Sequence, residues 1–199
     1  MLSEFAKIKN FYAQQLEQYG PKHPMALHWN SKETQEARFS VLSSIDDLNE
    51  KSVLDLGCGL GDFYGFLQGK GLLVDYTGWD ISEEMVQNAT RKYPGGAFDV
   101  KNVLLESKLP RFNYVLASGT MNVKIANHEA WVYEMIQKMF EMANCGVGFN
   151  LLDIEEKAQD SQFFYANKEQ ILNYCKKITK NVRIKNEYLP HDFTVFMYK

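Results

Sequence analysis

A chain of 199 residues with 45% hydrophobic and 24% charged side chains has the size and composition of one globular domain, which excludes a disordered tract, a collagen-like repeat and a disulfide scaffold. Its 22 Lys and Arg against 25 Asp and Glu leave a net charge of −3, without the basic footprint of a dedicated nucleic-acid binder. Three cysteines, an odd number with no CxxC spacing, and four scattered histidines give no metal-ligand pattern and fit reduced thiols in the cytoplasm.

In chain order, Leu2, Phe5, Ile8, Tyr12, Leu16 and Tyr19 recur at helical spacing and predict a first helix that Gly20-Pro21 ends. The opening MLSEFAKIKN is polar where a secretory leader is apolar, so no leader is expected, and no run of apolar residues is long enough to span a membrane. After a loop with two prolines, Ser31 caps a second helix expected over 32–48. From there strands and helices alternate. Strands are expected at 53–56, 72–79, 97–100, 112–117 and 146–152, and a closing hairpin at 182–188 and 193–198. Between them, helices are expected around Phe63 to Leu67, after Ser82, over 128–142 and, capped by Asn167, over 168–178. Such alternation predicts an α/β domain, a doubly wound, mostly parallel sheet with helices on both faces.

The stretch VLDLGCGLGDF, residues 53–63, carries the chemistry. A strand ends at Asp55, and Gly57, Gly59 and Gly61 follow before a helix. Glycines there let the backbone turn tightly and approach a ligand, and the helix start offers free N–H groups. Asp80, 25 positions after Asp55, closes the next strand, where a carboxylate can accept hydrogen bonds from both ribose hydroxyls of a nucleoside. The third glycine stands two residues after the second, whereas the dinucleotide fingerprint places it three after.

DxGxGxG followed by a strand-end acid resembles the class I S-adenosylmethionine-dependent methyltransferases, over residues 52–199. The resemblance implies a seven-stranded Rossmann-like sheet whose last strand is inserted antiparallel. It implies S-adenosylmethionine as cofactor and S-adenosylhomocysteine as product. Asp55, Gly57, Cys58, Gly59 and Gly61 would hold the methionine part, Asp80 the ribose, and Ile81 the adenine. Asp99, with Val100 beside it, would meet the adenine amino group, and Ser118 with Gly119 and Thr120 would pass the sulfonium. The N-terminal block and the ending HDFTVFMYK are similar to short stand-alone bacterial methyltransferases of small molecules.

Departures from other subtypes narrow the acceptor. After 112–117 the chain reads ASGTMNVK, without the Asn-Pro-Pro-aromatic signature of exocyclic-amine methylation on nucleic-acid bases. No Pro-Cys nucleophile and no acidic metal cluster occur. The expectation is methyl transfer to an oxygen or nitrogen of a small molecule. The alternatives are a protein or RNA acceptor, or a non-catalytic cofactor-binding partner. The oligomeric state is left open.

The segment 1–50 is expected to be a helical lid over a core of 51–199. Trp29 would close over the site and Arg38 would pair with the cofactor carboxylate. His28 and Asn122 are the candidates for a catalytic or acceptor contact, with Lys124 behind them, and no base is assigned. His128 reads as helix-end cover, His191 as remote, and Trp131, Met135 and Met139 as core. Should the lid pack elsewhere, Asp153 and Tyr165 are the next candidates.

Overall fold

A computed structural model describes residues 2–199. Met1 and the side chains of Leu2 and Ser3 lie outside the described residues, so the expected places of Met1 in the lid and of Leu2 on the first apolar stripe do too.

Two strands with nearly continuous apolar character, β1 (Ser52–Leu56) and β4 (Phe112–Ala117), form the middle of the sheet. They are flanked on one side by β2 (Asp75–Asp80) and β3 (Ala97–Val100), and on the other by β5 (Ala143–Asp153), β8 (Asp192–Tyr198) and β7 (Val182–Lys185). The order is β3-β2-β1-β4-β5-β8-β7, with β8 antiparallel between β5 and β7 and the other pairings parallel. This is the expected doubly wound, mostly parallel α/β sheet. A two-residue strand, β6 (Tyr165–Ala166), also pairs with β5, at Leu152 and Asp153, beyond the point where β4 ends.

Alternation along the strands sends side chains to two cores. Leu54, Val115 and Ala117 join one, and Val53, Tyr114 and Leu116 the other. The helix α5 (His128–Met142) covers the first face, and its two i, i+4 rows put Trp131, Val132, Met135, Ile136 and Met139 inside. Each fully buried aliphatic or methionine side chain on that face contributes about 1.5–3 kcal/mol. The helix α6 (Lys168–Ile178), capped by the Asn167 side chain on Gln170 N–H, adds Ile171 and Cys175 to the same core. The other face carries α3 (Asp62–Gly69), while α4 (Glu83–Lys92) packs on β2 and β3.

The two N-terminal helices straddle the sheet. α1 (Leu2–Tyr19) sends Phe5 and Ile8 into the α5 core, whereas α2 (Lys32–Ser43) sends Phe39 and Leu42 into the α3 core. The segment between them, which includes a 3-10 turn at Pro24–Leu27, crosses the edge of the sheet where the parallel strands end.

Several boundaries differ from the sequence reading. α2 ends at Ser43 rather than near Leu48, because the Ser43 and Ser44 hydroxyls donate to the carbonyls of Ser40 and Val41 at its last turn. Ile45 and Leu48 stay buried in the following turn. β2 starts at Asp75, not residue 72, and β7 stops at Lys185, not residue 188, while β5 runs longer than expected.

Candidate active site

The register of β1 on β2 places Asp55 beside Gly78 and Leu56 beside Trp79, so the glycine loop and the end of β2 meet at one edge. Gly57 and Cys58 donate their N–H groups to the Trp79 carbonyl at 2.7 and 3.1 Å. Gly57 has φ +74°, and a Cβ there would stand 2.3 Å from the Thr120 methyl. Thr120 is pinned by its hydroxyl donating to the Leu56 carbonyl at 2.7 Å. Gly57 is thus glycine for both conformation and close approach.

Asp80 faces the loop from the end of β2. Its two oxygens accept the Gly59 N–H at 2.9 Å and the Ser82 N–H at 2.8 Å. Burial raises its pKa, against these backbone donors, which favour the carboxylate. Nearby Tyr12 of α1 makes no hydrogen bond through its hydroxyl among the described residues, and burial followed by the Asp80 charge pushes its pKa up. Asp55 accepts from the Tyr76 hydroxyl at 2.7 Å, yet burial, with the charges of Asp80 and Asp62, pushes its pKa up to about 7. Burial also raises the Cys58 thiol, which leaves it unreactive.

These groups wall a cavity that is open to solvent at its mouth. Asp55, Gly57, Cys58 and Gly59 form one wall, and Asp80, Ile81, Ser82 and Met85 a second. Lys101, Asn102 and Val103 continue past β3, and Ser118, Gly119 and Thr120 follow β4. Asn150 on β5 shapes that last turn, accepting the Gly119 N–H at 2.8 Å and donating to the Ser118 hydroxyl at 3.3 Å. The N-terminal segment supplies Phe5, Ile8, Lys9, Tyr12, Leu27, Trp29, Gln35 and Phe39. Leu27 seats on Gly59 and the Trp29 ring on Gly119, where an added Cβ would approach within 3.0 and 2.5 Å.

Of the expected site residues, Trp29, Asp55, Gly57, Cys58, Gly59, Asp80, Ile81 and Ser118 line the cavity. Six do not. Gly61 faces Phe98 and Tyr93, so its bare Cα serves packing. Asp99 and Val100 end the edge strand in solvent, with Asp99 paired to Lys101 at 3.7 Å, and the wall there is made by the next three residues instead. Arg38 is taken by Asp192 at 2.5 Å, both of them buried. His28, at φ 57°, packs at a tilt against Phe163 and Phe11 with Gln15 3.4 Å away, and burial lowers its pKa. Asn122 is buried behind the turn after β4, its side-chain oxygen without a partner among the described residues. The wall therefore holds neither catalytic candidate.

Trp131 and Met135 belong to the core as expected, but they also line the cavity. The strand-end positions 101–103 could have been found by counting past an exposed edge strand, whereas nothing local marks Asn150. Lys124 is exposed, and the loop candidates are engaged elsewhere: Asp153 with Lys168 at 2.6 Å, and Tyr165, whose hydroxyl accepts the Asp160 N–H.

His128 holds the chain after β4. Its Nδ1 accepts the Ile125 N–H at 3.1 Å, and its Nε2 stands 2.9 Å from the Met121 carbonyl, a pairing that requires the neutral ring with its proton on Nε2. Burial lowers its pKa to about 4. The unfolded chain binds that proton more readily, so this residue's contribution is complete above about pH 6.5 and is lost as the pH falls toward 4. Its full size is roughly 3 kcal/mol. Thermal melts at pH 7.5 and 5 will show a larger acid loss for the wild-type protein than for His128→Gln, and equal losses would refute it.

Comparison with known proteins agrees with this geometry. A family model described as a methyltransferase domain matches residues 47–191. A Mycobacterium tuberculosis protein, Rv1506c, itself only provisionally named a methyltransferase, is 30% identical over 156 residues, which cover 74% of this chain and 93% of that one. Among solved structures, Synechocystis magnesium protoporphyrin IX methyltransferase with bound S-adenosylmethionine superposes with a TM-score of 0.70 at 13% identity, over 98% of this chain and 97% of that one. The plantazolicin methyltransferase BpumL, in complex with a triazolic desmethylPZN analogue and S-adenosylhomocysteine, gives 0.68 at 13% identity over 100% of this chain and 99% of that one. At such identities these structures speak for the fold alone. The chain belongs to the methyltransferase-domain family, and it is a class I, S-adenosylmethionine-dependent methyltransferase. No described helix is long and apolar enough to cross a membrane.

Proposed function

We propose that this protein transfers a methyl group from S-adenosylmethionine to an oxygen or nitrogen of a small-molecule acceptor in the cytoplasm. The carrying observation is that the N-terminal segment lines the same cavity as the glycine loop and Asp80. Residues 5–39 roof the edge where the glycine loop and Asp80 meet, which leaves a pocket suited to a small molecule rather than an open face for a macromolecule. The net charge of −3 also argues against a nucleic-acid acceptor.

The lining suits the cofactor. A carboxylate has about four acceptor positions, and Asp80 uses two on backbone N–H groups, which leaves two for ribose hydroxyls. The Tyr12 hydroxyl is a further potential donor near it. Ile81, Val103, Trp131 and Met135 offer an apolar slot for the adenine, and Asp55 and Asp62 lie along the glycine loop where the cationic parts would be held. When bound, the cofactor supplies a methyl group already activated on a sulfonium. The residues 1–50 act as a lid in this reading. Trp29, Leu27 and Tyr12 exclude water from the acceptor, and Ser118 and Thr120 fix the turn beside it. No histidine stands in the described wall, so the protein's part is to hold and desolvate the acceptor.

Asp55 makes cofactor binding pH-dependent. Its folded pKa near 7 means the ligand-free protein carries its proton below that pH. A cationic ligand favours the carboxylate, so affinity rises with pH and levels off above about 7, with a proton released on binding at lower pH. Calorimetry at pH 6.5 in two buffers of different ionisation enthalpy will detect that proton, and Asp55→Asn will abolish it. Identical heats in the two buffers for the wild-type protein would refute the assignment.

The acceptor class is tested with methyl-labelled cofactor and a cell extract divided into small molecules, protein and nucleic acid. Label in the small-molecule fraction is expected. Label confined to protein or RNA, or no transfer to any fraction, would overturn the proposal.

A further inference from the structure

Trp29 roofs the cavity, yet its indole N–H has no hydrogen-bond partner among the described residues. No hydrogen bond to a described residue therefore sets the ring. One side of it lies against Gly119, where an added Cβ would come within 2.5 Å. The Arg38 guanidinium carbon stands 4.7 Å from the ring centre. Arg38 itself has three polar partners: Nη1 donates to the Thr34 carbonyl one turn earlier at 2.9 Å, and Nη2 pairs with Asp192 at 2.5 Å and stands 3.4 Å from His191 Nε2. Thr34 in turn closes the capping box with Ser31 that starts α2 just after Trp29.

The pair joins distant parts of the chain. Arg38 comes from a helix on the α3 face, and Asp192 opens β8, the strand inserted against β5. They are 4% and 2% exposed. Burying two charges costs as much as their attraction returns, and an apolar pair of the same volume serves stability equally well. A planar guanidinium does something an apolar side chain cannot. It can pair with a carboxylate and lie against an aromatic ring at the same time, which fixes that ring's position.

We propose that Arg38 and Asp192 are positioning residues: the buried pair holds Trp29 down on the turn after β4 and so sets the height of the cavity roof. The proposal rests on the reading of this cavity as the cofactor site. It also replaces the expected contact between Arg38 and the cofactor, because Arg38 acts through Trp29.

The test measures S-adenosylhomocysteine affinity by calorimetry, and thermal midpoints, on the full chain. In Arg38→Met/Asp192→Leu the ion pair becomes apolar, and the midpoint should return to within about 2 °C of wild type. Affinity should nevertheless fall about fivefold, the worth of one lost cation–ring contact. Trp29→Ala should show a similar loss, and adding it to the double variant should cost nothing more. Arg38→Lys keeps the charge for Asp192 without the flat face, so it should fold and lose affinity alike, which keeps the test available if the double variant fails to fold. Wild-type affinity in Arg38→Lys or the double variant would overturn the proposal, as would losses that multiply with that of Trp29→Ala. If the wild-type protein itself binds no S-adenosylhomocysteine, the cofactor-site reading fails first.

Discussion

Gly57→Ala is expected to destabilise the protein by about 3–5 kcal/mol, from a left-handed φ that alanine tolerates poorly and from overpacking. The overpacking is specific: the new methyl would lie 2.3 Å from Thr120 Cγ2 and 2.5 Å from its hydroxyl oxygen. Thr120 cannot rotate away without giving up its bond to the Leu56 carbonyl. For a chain of this size the thermal midpoint should drop by roughly 10 °C. Gly71 is a built-in control, because it has nearly the same φ, +73°, with nothing within 4 Å of its added Cβ. Gly71→Ala should therefore show only the conformational part, and Gly57→Ala/Thr120→Ala should recover part of the steric loss. Equal midpoints for Gly57→Ala and Gly71→Ala would show that the contact with Thr120 does not constrain the loop.

The second large effect is on affinity. Asp80→Ala removes the acceptor for the Gly59 and Ser82 N–H groups together with that for the ribose hydroxyls. A hydrogen bond to a charged group contributes about 1.5–3 kcal/mol, so S-adenosylhomocysteine affinity should fall at least tenfold and as much as a hundredfold or more. Loosening of the glycine loop would also weaken binding, and a ligand variant separates the two causes. A product analogue lacking both ribose hydroxyls should bind wild type about as weakly as the whole product binds Asp80→Ala. Against the variant, removing the hydroxyls should change little. If the two losses simply multiply, Asp80 shapes the loop and does not hold the ribose.

The parts of this site that were legible in the sequence are the local ones. A strand running into glycines at positions 57, 59 and 61, with an acid ending the next strand, specifies one edge of a parallel sheet within thirty residues. Register then brings Asp80 to Gly59 with no help from distant parts of the chain. Reading failed where long-range partners decide. Arg38 looked like a free cation on an amphipathic helix, but its partner lies at the start of the last strand. Asp99 and Val100 sit at the end of an edge strand with no neighbour on its outer side, so they point into solvent, and the chain reaches the cavity only as it turns back at Lys101 to Val103. Trp131 and Met135 sit in a helical core pattern, and periodicity cannot tell a core contact from a wall that is also core. β6, at two residues, is too short to leave an alternation.

The N-terminal segment shows the same division. Its helices were readable from spacing, but their opposite placement on the two faces of the sheet was not. That placement forces residues 20–31 across the strand ends, which turns an otherwise ordinary loop into the cavity's roof.

The central claim is that the glycine loop, Asp80 and this roof together form the cofactor site. A crystal structure of the protein with S-adenosylhomocysteine tests it most directly. The account predicts both ribose hydroxyls within hydrogen-bond distance of Asp80, the adenine between Ile81 and Val103, and Trp29 covering the end of the ligand nearest Ser118. A ligand bound outside this cavity, or one whose ribose lies away from Asp80, would contradict it.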